Sequence, residues 1–196
     1  MKICLIIPPS PFLLDERVFV QLGILKIAAS LEQQNYSVDM IDLSGVENYI
    51  DVLGGPHVTL MHTAAKREAA KNFVGSNRAH KDVECLKQYF DVLVCGDGEL
   101  AIFDAITTDK KVIDADNSKS EYFLSHEQFS VLPPPARHLV DMSSYKYSIE
   151  GVPALSVIAQ LGCPFHCTFC SGRNSPFLRK IRTRSTESVI EEVENL

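Results

Sequence analysis

A chain of 196 residues with 45% hydrophobic side chains and a formal charge of −6 has material for one full domain and part of a second, and its composition is that of a globular protein. The acidic balance excludes a general nucleic-acid binder, because phosphate binding draws on a basic surface. The apolar run before Pro8 is five residues long, too short for a membrane span or a signal-peptide core.

The chain is therefore expected in the cytoplasm, where thiols stay reduced. Its six cysteines then read as ligands or buried side chains, not as disulfides. Cys4 and Cys95 fall in strand-like apolar runs and Cys85 in a helix-like one, and each reads as a small buried hydrophobe.

In chain order, "KICLII" at residues 2–7, closed by Pro8-Pro9, predicts a strand buried on both faces of a parallel sheet. Val18, Leu22, Leu25, Ala28 and Leu31 recur at helical spacing and predict a helix over residues 18–34. Further strands are predicted at 38–43, 50–53 and 91–95, and helices at 63–73, 80–89 and 99–107. This alternation is that of a doubly wound α/β domain over residues 1–107. Only six residues separate Leu43 from Ile50, whereas a parallel crossover needs about a dozen. Either a βα unit is missing at that step, or the third run is antiparallel or marginal.

Residues 108–151 contain "DADNSKSE" and the triple proline Pro133-Pro134-Pro135, and read as a linker with a small hairpin. A second unit is expected over 152–196. In it "ALSVIAQ" (154–160) reads as another buried strand, the cysteine loop follows, and Ser185 caps a helix with Val189, Ile190, Val193 and Leu196 on one face. The basic run "RKIRTR" at 179–184 reads as a solvated connection. Asp97 and Glu99 read as residues of an ordinary turn near a helix start, with an acid–base role as the alternative.

The strongest signal is "LGCPFHCTFC" (161–170). Cys163, Cys167 and Cys170 have the spacing C-x3-C-x2-C in one loop, so their sulfurs can converge on one point. Thiolates are soft ligands for iron–sulfur clusters and for zinc. Three of them on a four-iron cluster leave one iron open to a further ligand, as catalytic metal sites keep an open position. Zinc bound by the three cysteines and His166 is one alternative, although His166 adjoins Cys167 and zinc sites usually pair cysteines with a distant second pair. A plain redox or structural loop is the other, with little use in a reducing compartment.

"GCPFHCTFC" resembles the cluster motif of the radical S-adenosylmethionine (SAM) superfamily, with the aromatic Phe169 just before the last cysteine. The resemblance implies that Cys163, Cys167 and Cys170 ligate a [4Fe-4S] cluster. It further implies that SAM chelates the open iron and is reductively cleaved to methionine and a 5′-deoxyadenosyl radical, and that Phe169 lies against the adenine. On the residues alone, core packing accounts for Phe169 equally well.

"KICLIIPPSPF", "GGPHVTL", "VCGDGEL" and "LPPPARHLVDMSSY" resemble the cobalamin-binding-type domain and linker of the B12-binding radical SAM subfamily. That resemblance makes cobalamin a further expected cofactor, with Gly54, Gly55, Gly96 and Gly98 as turn glycines that let backbone approach it. Read singly, each is an ordinary strand-to-helix turn. The sequence has no D-x-H-x-x-G pattern, so no lower cobalt ligand is nominated and His57 is not given that role.

The fold so implied is a Rossmann-like, flavodoxin-type doubly wound domain lacking one βα unit, followed by the first βα unit of a partial (β/α)6 radical SAM barrel. One strand and one amphipathic helix cannot cover their own apolar faces. The chain is thus expected to be truncated, or half of a split enzyme completed by a second chain, and inactive alone. The expected function is radical-based modification, methylation included, of a small-molecule or other substrate. The alternative is a non-catalytic remnant or a structural zinc-binding protein.

Overall fold

A computed structural model of the chain describes residues 1–9, 15–45, 56–70 and 78–196. The predicted strand at 50–53 and both Gly54 and Gly55 lie outside the described residues. Two compact units are formed: Met1–Val52 with Val131–Ala159 and Arg184–Leu196, and Leu53–Ser130 with Gln160–Thr183. Residues 108–151 contribute to both.

In the first unit, β1 (Lys2–Ile7) pairs in parallel with β2 (Ser37–Asp42), joined by α1 (Leu22–Gln33). The helix follows from its periodic apolar face, of which Leu22, Leu25, Ala28 and Leu31 are buried. It begins four residues later than the spacing predicts. The Asp15 carboxylate accepts the Arg17 backbone N–H, an Asx-type bond that holds residues 16–19 in turns. It ends where Asn35 takes a positive φ of 61°. There the Tyr36 N–H reaches the Leu31 carbonyl and the Asn35 N–H that of Glu32, the paired bonds of a Schellman stop. β1 alternates along its length, with Ile3, Leu5 and Ile7 turned inward and Cys4 and Ile6 exposed. The two-faced burial predicted for "KICLII", and with it the burial of Cys4, is corrected to one-faced burial, because successive side chains of a strand point to opposite faces.

The same unit holds an antiparallel hairpin of β5 (Ser148–Ile149) and β6 (Val152–Pro153), turned over Glu150 and Gly151, both with positive φ. No strand forms over 154–159, where the sequence predicts a buried one. That segment is held instead by scattered bonds, including the Arg184 N–H to the Ala159 carbonyl and the Arg137 guanidinium to the Ser156 carbonyl at 2.7 Å. Ser185 caps α7 (Thr186–Glu194) by accepting the Ser188 N–H. The helix buries Glu192, whose two carboxylate oxygens take Arg137 and Arg184.

The second unit contains α2 (Pro56–Ala70), α3 (Arg78–Tyr89) and the parallel pair β3 (Leu93–Gly96) and β4 (Val112–Ala115), joined by α4 (Gly98–Ala105). Pro56 opens α2 at the first helical position, where its missing N–H costs nothing. α3 buries Ala79, Val83 and Leu86 against Leu93 and Cys95. Cys85 stands off that face and is exposed, so its predicted burial is also corrected, whereas Cys95 is buried.

β4 lies inside the segment read as a linker. So do α5 (His126–Ser130) and the buried residues Leu124, Phe129 and Asp116. Four-residue strands with two inward side chains leave almost no periodic signal. The last elements are the antiparallel pair β7 (Gln160–Leu161) and β8 (Arg182–Thr183), which closes the excursion containing the cysteines and the short α6 (Pro176–Arg179). No closed barrel forms among the described residues, and no helix among them is long and apolar enough to cross a membrane.

Candidate metal centre

The loop that carries the cysteines leaves β7 through Gly162, whose φ is +90°. A Cβ there would stand 2.1 Å from the Lys180 carbonyl oxygen, so the residue before Cys163 must be glycine for the two arms of the excursion to pass. The Cys163 N–H then donates to the Leu178 carbonyl, and the Cys170 N–H donates to that of Cys167. A 3-10 turn over Ser171–Asn174 leads to Ser175, which caps α6 by accepting the Leu178 N–H.

Behind the loop, fully buried Asp116 fixes the start of α6. One of its oxygens accepts from the Ser175 hydroxyl at 2.6 Å and from the Phe177 N–H at 2.8 Å, and the other from the Thr63 hydroxyl at 2.6 Å. A second buried polar contact fixes the end. Arg182 of β8 donates to both oxygens of Asp97 at 2.7 and 2.6 Å, with the Asp97 carboxylate also accepting the Leu124 N–H. The Arg182 guanidinium lies 5.4–5.7 Å from the ring centres of Phe177, Phe123 and Phe129, a cation–π surround. Burial pushes the Asp97 carboxyl up to about 6 against the lowering pull of Arg182, which still leaves it ionised at neutral pH. Asp97 is thereby held in a buried ion pair with Arg182. The expectation of a solvated "RKIRTR" is overturned, because Arg182 is fully buried and the Arg184 side chain nearly so.

Cys163, Cys167 and Cys170 are all free and exposed. Among the described residues no three His, Cys, Asp or Glu side chains are gathered as a metal-binding group. The structure thus brings the three thiols onto one loop without closing them on a point. The donor set itself fits a thiophilic metal: soft sulfur atoms, outside any disulfide, on one exposed stretch of backbone. Phe169 is 91% exposed, so its ring packs into no core among the described residues. Gly98 opens α4. Gly96 has φ +95°, and a Cβ there would meet the Ala115 and Asp116 backbone at 2.4 Å. Its lack of a side chain is explained by the close approach of β4.

Two arginines make contacts on the loop that are not visible in the motif. Arg179 donates to the carbonyls of Pro164, at 2.8 Å, and Phe165, and contacts the His166 ring nitrogen Nε2 at 2.7 Å. Arg173 donates to the Thr168 carbonyl at 2.6 Å. Arg179 also borders a cavity of about 560 Å³ with Phe123, His126, Glu127, Pro176 and Lys180. The signal for Arg179 and Arg173 is their place downstream of the last cysteine in "CSGRNSPFLRK", which charge counting alone reads as solvated.

The chain is similar to two curated proteins. One is an uncharacterized methyltransferase of Pyrococcus horikoshii, 33% identical over 174 residues, covering 81% of this chain and 32% of that protein. The other is the anaerobic magnesium-protoporphyrin IX monomethyl ester cyclase of Cereibacter sphaeroides, 27% identical over 169 residues, covering 77% of this chain and 24% of that protein. The chain therefore spans about a third or less of the length of these relatives. The first of these is in line with a methyltransferase-like relationship. No family model matches the chain, and no solved structure matches it.

Proposed function

We propose that this chain is the part of a radical SAM protein that carries the cluster loop, with Cys163, Cys167 and Cys170 as the ligands of a [4Fe-4S] cluster. The observation that carries the reading is the loop itself: three uncommitted, exposed thiols in C-x3-C-x2-C spacing, held at both ends by β7 and β8. The similarity to a methyltransferase and to an anaerobic cyclase supports it. When bound, a cluster with an open iron supplies the electron for reductive cleavage of SAM.

The chain's own residues prepare the loop. Gly162 lets the incoming arm cross Lys180, Asp116 and Asp97 fix the outgoing arm, and Phe169 offers an exposed ring for stacking on adenine. Because the sulfurs are not gathered, ligation closes a loop whose ends are already set. The reading keeps an α/β fold but not the 1–107 and 152–196 bounds, since β4 lies at 112–115 and no strand forms over 154–159; SAM is its co-substrate and a small molecule its substrate, methylated or otherwise modified by radical chemistry. Cobalamin is given no role in it.

The test is anaerobic reconstitution with iron and sulfide. The wild-type chain is expected to take up about four irons and four sulfides, and Cys163→Ser, Cys167→Ser or Cys170→Ser to lose most of both. Uptake of zinc in place of iron, or equal uptake by the serine variants, contradicts the assignment.

A further inference from the structure

We propose that Arg179 and Arg173 are positioning residues that hold the two spacers of the cysteine loop, one arginine for each spacer. The inference rests on the cluster reading above. Between Cys163 and Cys167 stand Pro164, Phe165 and His166, and Arg179 contacts all three, through two carbonyl oxygens and one ring nitrogen. Between Cys167 and Cys170 stand Thr168 and Phe169, and Arg173 takes the Thr168 carbonyl.

The division of labour follows from what the backbone lacks. Among the described residues, the loop's own backbone bonds reach the Cys163 and Cys170 N–H groups and leave the spacer carbonyls to side chains. A guanidinium suits this task, since its donors are fixed in a planar fork and it keeps its charge at any working pH. Lysine, a single ammonium on a flexible stem, cannot span three acceptors with the same order. An arginine side chain only donates, so the contact uses His166 Nε2 as its acceptor. That arrangement draws His166 into the brace and away from the metal-ligand role considered for it in a zinc site.

The same two residues put positive charge on the loop whose three sulfurs would hold the cluster. A cluster held by three thiolates is anionic, and nearby cations favour the more negative, reduced state, which raises its potential. Loss of either arginine therefore has two separable effects, a looser loop and a lower potential.

The experiment compares the wild-type chain with Arg179→Gln, Arg173→Gln, the double variant and Arg179→Lys. In the metal-free chain, NMR order parameters of residues 164–168 are expected to fall in the Gln variants, while those of β3 and β4 stay unchanged. After reconstitution, the Gln variants are expected to lose iron to a chelator about 10-fold faster and to show a more negative midpoint potential. Arg179→Lys is expected to restore the potential but not the order of the loop. Order parameters and iron loss in the double variant equal to wild type overturn the proposal. A wild-type chain that takes up no cluster overturns the cluster reading instead, and the order parameters then still decide whether the arginines hold the loop.

Discussion

Arg182 and Asp97 form a two-oxygen ion pair with both side chains fully shielded from solvent. The pair ties the strand that leaves the cysteine excursion to the turn between β3 and α4. Removing one member leaves the other charged and buried, which destabilises by about 3–5 kcal/mol, whereas replacing both by uncharged groups of similar size is close to neutral. Arg182→Met is therefore expected to lower the urea midpoint strongly, and Asp97→Asn with Arg182→Met to recover most of it. A double variant no better than the single one contradicts this account.

Gly162 and Gly151 both have positive φ, but only Gly162 has backbone in the space of a Cβ. Gly151→Ala is expected to destabilise by about 1–2 kcal/mol, the conformational term alone. Gly162→Ala adds the collision with Lys180 and is expected to exceed that clearly, with the change in chemical shifts centred on residues 160–163 and 180–182. Equal effects at the two glycines would mean that the crossing of the two arms is not as described.

Cys95 is buried, and burial pushes its thiol up to about 12, so it stays a thiol and unreactive. The other five cysteines are exposed. Iodoacetamide on the native chain at pH 7.5 is expected to label those five and reach Cys95 only after denaturation, as peptide mass spectrometry would show. Labelling of Cys95 in the native chain is the contrary result.

These particulars mark what is legible in the sequence. α1, α3 and α7 are visible because a periodic apolar face or a serine cap is a local property. β1, β2 and β3 are visible because their apolar runs end in prolines, polar residues or glycine. β4 is not, since Ile113 and Ala115 are too few to set a period. Residues 154–160 mislead in the opposite direction: the apolar run is there, but a strand needs a ladder partner, and through 154–159 none is supplied among the described residues. Cys4 and Cys85 mislead because an apolar neighbourhood in sequence does not say which face a side chain takes. The spacing of the three cysteines is visible in the sequence, whereas the roles of Arg173, Arg179 and the buried Arg182 are not, because a charge in sequence carries no mark of the carbonyl or carboxylate that meets it from a distant segment.

Phe169 separates stability from function. At 91% exposure its loss should change stability by no more than about 0.5 kcal/mol. Phe169→Ala is expected to keep the wild-type melting temperature and iron content while weakening the response of the cluster to SAM. A marked drop in melting temperature would show that the ring packs against the protein.

The most direct test of the central claim is the electron paramagnetic resonance spectrum of the reconstituted, dithionite-reduced chain with and without SAM. A [4Fe-4S] cluster with an open iron predicts a signal whose shape and g values change when SAM is added, and no such signal in the Cys163→Ser, Cys167→Ser and Cys170→Ser variants. A spectrum indifferent to SAM, or a chain that binds zinc and gives no signal, would contradict the account.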